Sequence, residues 1–254
     1  MKRPGPGTWH APRKVPKRGM VCEMMAGTRR VATAAANAGW WACSFEIEGH
    51  PDEDVLSKEV NDWFDEVAAA GLIALLWIGL VCSSWSRARR NTSGKRGFPP
   101  PLRDSADHIL GLPNLSEKDQ LRVIEGNRQM RWAARRFSRA ARDGYACVIE
   151  NPASSRLWES PPFRHLLKKF PCVEVHYCAF GTEWRKATKL IYVNIDFGSL
   201  MKYKCHGRGE CDFTGNKHLQ LSGKDPVSGK MWSSVASAYP PRLCAEVVRC
   251  LPAG

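Results

Sequence analysis

Cys82 is the residue whose type and position first point to chemistry. It follows an apolar run at 75–81 that is typical of a buried strand in a parallel sheet, although periodicity alone does not exclude a helix. Open α/β sheets bind ligands at the carboxyl ends of their strands, so Cys82 falls where a reacting group would lie. Arg87, Arg89 and Arg90 follow closely, and nearby positive charge lowers the pKa of a thiol and favours the nucleophilic thiolate. Simple packing of a small buried cysteine is the alternative.

Glu150 occupies a comparable position further along the chain. The apolar residues 145–149 predict a second buried strand, and Glu150-Asn-Pro stands at its carboxyl end. A strand-end acid can also be a surface group that pairs with a local arginine. Because Cys82 and Glu46 are expected on the same rim of the sheet, the sequence favours a functional site.

Two further stretches must position an adenosine-sized ligand. A strand at 21–25 ends in Ala-Gly-Thr, Thr28 is expected to cap a helix at 29–38, and a second strand covers 40–45. Glu46 follows this strand immediately.

Glu46 lies 19 positions after Gly27, which is the spacing at which a doubly wound fold places an acid on a cofactor ribose. The chain has no full Gly-x-Gly-x-x-Gly, so a dinucleotide is not favoured. One glycine and a helix N-terminus suit a smaller adenosine cofactor. An ordinary surface acid after a strand is the alternative reading of Glu46.

The remaining elements complete an α/β pattern. Residues 87–102 form a long loop rich in Pro, Gly, Ser and Arg, and loops of this length are usually functional or disordered. The other predicted elements are an acidic loop and helix within 52–70, a long basic helix from Ser116 to about 143, a short helix at 162–169, strands at 173–179 and 190–195, and a final helix at 242–250. We therefore predict a doubly wound, mostly parallel, Rossmann-like sheet.

Composition points to a polyanionic partner in a reducing compartment. The 254 residues carry a formal net charge of +13, which favours nucleic acid as the partner. Ten scattered cysteines, with no secretory signal and no apolar run of transmembrane length, predict reduced thiols in a nuclear or cytoplasmic protein, neither secreted nor membrane-bound.

Changes in amino-acid composition divide the chain into four parts. Residues 1–19 are rich in Pro, Gly, Lys and Arg and predict a disordered basic tail. The α/β domain spans 20–196. Residues 197–234 change to Gly, Lys, His and Cys and predict a small irregular insertion, after which 235–254 return to the domain with a final helix.

Taken together, these stretches resemble the DNA cytosine-5 methyltransferases, in the usual order of that family's motifs. The Met-Ala-Gly-Thr turn at 25–28 resembles the first motif, which holds S-adenosylmethionine, with Arg29 or Arg30 where the family has its second Gly. Glu46 resembles the acid that binds the ribose hydroxyls, and Asp54 resembles, more loosely, the acid near the adenine.

The later motifs follow along the chain. Residues 81–86 resemble the Pro-Cys-Gln-x-x-Ser nucleophile loop, and 150–152 resemble the Glu-Asn-Val motif in the Glu-Asn-Pro form of phage-like and mobile-element-like members. Residues 177–181 with 186–188 resemble the Gln-Tyr-Gly and Arg-x-Arg motif in a variant form. Residues 237–244 resemble the last motif, whose helix closes the cofactor site.

The resemblance implies methyl transfer from S-adenosylmethionine to C5 of a cytosine flipped out of duplex DNA. Cys82 would attack C6, and Glu150 would hold N3 and the exocyclic amine. Lys186 and Thr188 would steady the base or its phosphate. The residues assigned to the cofactor are Met25, Ala26, Gly27, Thr28, Glu46, Ile47 and Asp54, and those assigned to nucleic acid are Ser86, Arg87, Arg89, Arg90, Lys95, Arg96 and Arg185.

Departures from the family pattern leave rival functions open. Val81 stands where the family has Pro, Ser83 where it has Gln, and the turn after Gly27 is rich in arginine. A DNA-binding protein that kept the fold and lost catalysis is one alternative, and an RNA cytosine-5 methyltransferase is another. An amino-methyltransferase is disfavoured, because Asn151-Pro152 is followed by Ala-Ser and no aromatic residue.

The insertion holds a weak zinc motif. Its candidate ligands are Cys205, His206, Cys211 and His218. No Cys-x-x-Cys pair is present, so the sequence favours loop residues of a short target-recognition segment over a metal site.

Overall fold

The computed structural model describes residues 5–89, 99–105, 107–207 and 209–252. Within them, seven strands form one sheet with the order β1-β3-β2-β4-β5-β7-β6. The strands are β1 (Thr8–His10), β2 (Met20–Met24), β3 (Trp41–Phe45), β4 (Ile73–Gly79), β5 (Ala146–Pro152), β6 (Cys172–His176) and β7 (Ala187–Val193).

The centre of the sheet is parallel and its edges are not. β3, β2, β4 and β5 pair in parallel, whereas β1 is antiparallel to β3 and β7 is antiparallel to both β5 and β6. The predicted α/β class is therefore confirmed, and the sheet is mixed, compatible with a Rossmann-like fold. The antiparallel β6–β7 pair follows from the short connection between these strands, which cannot make a parallel crossover.

Helices cover both faces of the sheet. They are α1 (Arg30–Asn37), α2 (Lys58–Ala69), α3 (Glu117–Asp143), α4 (Pro161–Lys169), α5 (Trp232–Val235) and α6 (Pro241–Arg249). Alternate residues of β4 face opposite sides: Leu76 and Ile78 pack with α2, α3 and α4, and Leu75 and Trp77 pack with α1 and α6. Burial on both faces explains why the central strands are continuous apolar runs.

Two local predictions need correction. Thr28 is exposed and does not cap α1, whose N-cap residue is Arg29 and has no capping side-chain hydrogen bond. Instead Oε2 of buried Glu23, in β2, accepts a hydrogen bond of 2.8 Å from the Ala32 N–H in the first turn. The strand predicted at 173–179 ends at His176, because Tyr177–Phe180 form a 3₁₀ turn. The cap predicted for α3 is confirmed, since Ser116 Oγ accepts from the Asp119 N–H.

The prediction of a disordered tail at 1–19 is wrong for its central part. Thr8–His10 form an edge strand on β3. Trp9 packs edge-on against Trp63 with 5.9 Å between ring centroids, and Thr8 Oγ1 donates a 2.8 Å hydrogen bond to Glu53. A three-residue strand has too few positions for a periodic pattern, so the sequence gives little sign of it.

The fold places a switch point at β2. The chain leaves β2 for β3 on one side of it and then crosses to β4 on the other side. Ligands of open α/β sheets bind where the strand order reverses in this way, beyond the carboxyl ends of the strands. Within the described ranges, no helix combines the length and apolar character needed to cross a bilayer.

Candidate active site

Cys82 and Glu150 lie at the same end of the sheet. Gly79, the last residue of β4, pairs with Glu150 in β5, and Cys82 follows β4 by three positions. Asn151 joins the two strand ends, because its Nδ2 donates a 2.6 Å hydrogen bond to the Leu80 carbonyl. The structure therefore brings the predicted thiol and carboxylate to one rim.

Two hydroxyl groups hold the Glu150 side chain. Thr188 Oγ1, on the neighbouring strand β7, donates to Oε1, and Tyr239 Oη donates to Oε2 at 2.9 Å. Glu150 is only 5% exposed and Thr188 is fully buried. Donors on both oxygens stabilise the carboxylate and fix its orientation.

The loop that carries Cys82 is anchored on both sides. It turns at once, because the Trp85 N–H donates to the Cys82 carbonyl at 3.0 Å, and the Arg156 N–H donates to the Trp85 carbonyl at 3.0 Å. The buried guanidinium of Arg103 lies 3.5 Å from the centre of the Trp85 ring and donates to the carbonyl and hydroxyl oxygens of Ser84. Sequence analysis missed Arg103, whose only sign is one more arginine in a basic loop.

Among the described residues, Lys186 is a cation whose charge acts on the Cys82 thiol. Burial raises the pKa of the half-buried Cys82 thiol, Lys186 lowers this pKa and Glu150 raises it. Lys186 Nζ donates to Tyr177 Oη at 3.3 Å and to the Ala236 carbonyl at 3.0 Å. Cys82, Glu150 and Lys186 therefore share one electrostatic environment.

The expectation that nearby arginines lower the Cys82 pKa is wrong. Arg87 pairs with Glu159, and Arg89 pairs with Asp119 at 3.4 Å. The effect of burial on the thiol outweighs the effect of Lys186, so the pKa of Cys82 is raised.

The candidate cofactor turn follows β2. Met25, Gly27 and Arg29 adopt left-handed backbone conformations with φ of 55°, 51° and 55°. The Gly27 N–H donates to Glu46 Oε2 at 2.6 Å, so the turn and the candidate acid are in direct contact. Glu46 is half-buried, and its Oε1 accepts a 3.3 Å hydrogen bond from the Glu48 N–H.

Arg29 turns away from this loop. Its guanidinium donates to the Ser44 carbonyl at 3.1 Å and pairs with buried Glu53 at 2.7 Å. Glu53 Oε2 also accepts from the Glu46 N–H at 2.8 Å, so it fixes the backbone of the candidate ribose acid. Sequence analysis did not single out Glu53.

The other cofactor candidates differ in position. Ala26 is buried, and its N–H donates to the Phe45 carbonyl at 2.9 Å. Thr28 is exposed, as is the Ile47 side chain at 54%. Asp54 Oδ1 accepts from the Leu56 N–H at 2.8 Å, which closes a turn within its own loop.

Gly79 allows the two ends of the site to meet. A Cβ atom at this position would clash with the Tyr239 hydroxyl and lie 3.2 Å from the Met25 carbonyl oxygen. Gly79 is therefore the point at which the turn after β2, the end of β4 and the Glu150 contact come together.

The nucleic-acid candidates are only partly brought to this rim. Ser86 Oγ accepts from the Ala88 N–H, and Arg185 is exposed with its Nε donating to His176 Nδ1 at 3.2 Å. Arg87 and Arg89 are engaged in the ion pairs described above. Arg90, Lys95 and Arg96 lie outside the described residues.

A second basic surface lies on the C-terminal half of α3. It borders a cavity of about 1030 Å³ lined by six arginines, two of which pair with Asp65. Because α3 runs back to the start of β5, this surface lies toward the amino edge of the sheet, away from Glu150.

The potential zinc ligands that the structure brings together differ from the predicted set by one residue. Cys178, Cys205, Cys211 and His218 have ligand atoms that all lie within 4.8 Å of one another. His206 is not among them, because it is exposed and its Nδ1 lies 3.7 Å from Asp212 Oδ2. Cys178 was missed as a ligand because it lies in a different part of the chain, in the 3₁₀ turn after β6.

Comparison with models of known protein families gives no match, and comparison with curated proteins gives none either.

Proposed function

We propose that this protein transfers a methyl group from S-adenosylmethionine to C5 of cytosine in DNA. The observation that carries the proposal is the meeting of Cys82, Glu150 and Lys186 on one rim, beside the Gly27–Glu46 turn at the switch point of the sheet.

Cys82 is the proposed nucleophile. Its sulfur would attack C6 of the cytosine, which turns C5 into the nucleophilic carbon of an enamine. C5 would then take up the methyl group. A base would remove the proton from C5, and the C6–S bond would break, which restores the aromatic ring and the thiolate. The anchored loop, with the Trp85 N–H bonded to the Cys82 carbonyl, would hold the sulfur in place during these steps.

Glu150 is the proposed partner of the base. Its carboxylate has further lone pairs beside those used by Thr188 and Tyr239. These lone pairs can accept from the exocyclic amine, and a shared proton at N3 would stabilise the charge that builds on the ring. Lys186 would favour the thiolate of Cys82.

The turn after β2 fits an adenosine cofactor. No described residue comes within 4 Å of the position that a Cβ on Gly27 would take, so a ligand can approach the backbone there. Glu46 is half-buried with acceptor capacity left for ribose hydroxyls. Arg29 has the left-handed φ that glycine prefers, and its side chain leaves the turn, so this departure from the family pattern is sterically accommodated. When bound, S-adenosylmethionine supplies an electrophilic methyl group.

The +13 net charge supports a nucleic-acid substrate. A target base inside a duplex must be flipped out to reach a half-buried thiol, at a cost of a few kcal/mol. Arg185 is an exposed cation one position before Lys186, where it would contact a phosphate of the substrate.

Covalent trapping tests the proposal. Duplex DNA that contains 5-fluorocytosine is incubated with the protein and S-adenosylmethionine, and adducts are counted on a denaturing gel. Because fluorine replaces the C5 proton, the C6–S bond cannot break and the adduct persists. We expect an adduct with wild type and with the exposed-thiol control Cys172→Ser, and none with Cys82→Ser.

Two rivals predict different results. A protein that kept the fold without catalysis would bind cofactor and DNA and form no adduct, and the burial that raises the Cys82 pKa is the observation that favours it. An RNA methyltransferase would form the adduct on 5-fluorocytidine RNA in preference to DNA. Either result would overturn the proposal of a DNA methyltransferase.

A further inference from the structure

Four potential metal ligands converge at the end of β6. The sulfurs of Cys178, Cys205 and Cys211 and a ring nitrogen of His218 lie within 4.8 Å of one another, and Cys205 Sγ is 3.6 Å from His218 Nε2. Around a tetrahedral zinc ion, with Zn–S near 2.3 Å and Zn–N near 2.0 Å, ligand atoms lie about 3.5 to 3.8 Å apart. One ion fits among these atoms after small adjustments.

The segment that contributes Cys205 and Cys211 buries very few of its other side chains. Of the described residues in 201–235, only Cys205 and Cys211 are buried. A segment that buries so little apolar surface cannot be held by a core, and small units of this kind usually depend on disulfides or a metal. All three cysteines are unbonded thiols, and an odd number cannot be satisfied by disulfides alone.

The local backbone is built to present these ligands. The Cys211 N–H donates to the Asn216 carbonyl at 2.8 Å, and the Phe213 N–H donates to Cys211 Sγ at 3.4 Å. A Cβ atom at Gly207 would clash with the Glu210 carbonyl, so the turn between Cys205 and Cys211 requires glycine. Hydrogen bonds to ligand sulfurs orient them in metal sites.

We propose that Cys178, Cys205, Cys211 and His218 bind one structural zinc ion that fixes the 197–234 segment to the sheet. Four protein ligands fill a tetrahedral site, which leaves no open position for catalysis. Soft thiolates with one imidazole are a ligand set that suits zinc.

This site adjoins the candidate active site through two neighbouring residues. Cys178 directly follows Tyr177, whose hydroxyl accepts the hydrogen bond from Lys186. The backbone N–H of Cys205 donates to Nδ1 of the fully buried His176 at 3.0 Å. The backbone N–H of His176 in turn donates to the Tyr203 carbonyl at 2.9 Å. The metal would therefore secure the segment beside the strand end that holds Lys186.

Metal analysis of the full chain tests this inference without any activity assay. The protein is purified without chelators, and zinc is measured by mass spectrometry against protein concentration. We expect one zinc per chain in wild type and in the controls His206→Ala and Cys172→Ser. We expect zinc to be lost in His218→Ala and Cys211→Ser.

Cobalt substitution covers the case in which a ligand variant does not fold. Wild type with its metal replaced by cobalt should show the visible and thiolate charge-transfer bands of a tetrahedral site, and chelation should speed proteolysis within 197–234. Folded wild type that neither carries zinc nor takes it up would overturn the inference. Equal zinc loss in His206→Ala and His218→Ala would do so too, as would a disulfide among the three cysteines in protein that is purified without chelators and alkylated as it is denatured.

Discussion

The hydroxyl of Tyr239 donates a 2.9 Å hydrogen bond to Oε2 of Glu150, across 89 positions of sequence. The Tyr239 ring packs edge-on against Trp77 of β4 with 5.5 Å between centroids, and the Tyr239 carbonyl accepts from Arg30 at 2.6 Å. Tyr239, two positions before α6, thus contacts β4, α1 and the buried acid at once. The segment that leads into α6 therefore belongs to the candidate site.

Tyr239→Phe should slow methyl transfer without unfolding the protein. The variant keeps the ring packing and the backbone contact and loses only the hydrogen bond to Glu150. A hydrogen bond to a charged group is worth about 1.5 to 3 kcal/mol, so we expect a loss of about 10- to 100-fold in single-turnover rate. Rapid-quench measurement with labelled cofactor gives this rate.

Tyr192→Phe is the matched control, because Tyr192 packs on Phe197 away from Glu150. An equal slowing in both variants would show that the Tyr239 hydroxyl does not position the acid.

Lys186→Gln should move the pH dependence of the reaction. Burial already raises the pKa of Cys82, so the wild-type rate should climb about tenfold per pH unit near neutrality as thiolate forms. Lys186 lowers that pKa, so its removal raises the pKa further and shifts the profile to higher pH. The variant should lose most activity near pH 7 and recover part of it near pH 9.

The control for Lys186 is Lys189→Gln, because the Lys189 ammonium lies over the Trp158 ring, 5.3 Å from its centre. Lys186→Arg keeps the charge and should retain the wild-type profile. A uniform loss at all pH values in Lys186→Gln would assign the lysine to base or phosphate contact instead.

Glu46→Gln should weaken cofactor binding. Loss of a charged acceptor for ribose hydroxyls costs about 1.5 to 3 kcal/mol, which corresponds to a rise of about 10- to 100-fold in the Kd for S-adenosylmethionine. Isothermal titration calorimetry measures the Kd. The exposed neighbour Glu48→Gln should bind as wild type, and a normal Kd in Glu46→Gln would remove the ribose role.

The sequence predicts the parts of this fold that depend on local pattern. Apolar runs predict β4 and β5, because strands buried on both faces cannot alternate. The carboxyl ends of parallel neighbours share one edge, so Cys82 and Glu150 could be expected near each other once these strands were adjacent. The cap of α3 at Ser116 has a local signature as well.

The remaining features depend on contacts between distant segments. Nothing local to Tyr239 signals its contact with Glu150, and nothing near Cys178 signals Cys205. Arg87 and Arg89 likewise form ion pairs with distant acids, whereas the sequence pattern predicts that their charges act on the thiol. The tertiary structure decides which group a long polar side chain contacts, and a local sequence pattern does not reveal such contacts.

Glu23→Gln should flatten the pH dependence of stability. Glu23 is fully buried in β2, and burial raises its pKa to about 8, although the Ala32 and Val31 N–H groups lower it. Between about pH 5 and pH 8 the native carboxyl therefore holds a proton that the unfolded chain has released. Stability contributed by this proton is present at low pH and is lost as pH rises toward the native pKa, by about 1.4 kcal/mol per unit.

A glutamine amide keeps the acceptor for the Ala32 N–H and does not ionise. We expect the variant to match wild type near pH 5 and to exceed its free energy of unfolding by about 2 to 4 kcal/mol near pH 8. Urea unfolding followed by tryptophan fluorescence at each pH gives these values. The exposed Glu66→Gln should keep the wild-type slope, and parallel curves for wild type and Glu23→Gln would mean that Glu23 is ionised in the folded protein despite its burial.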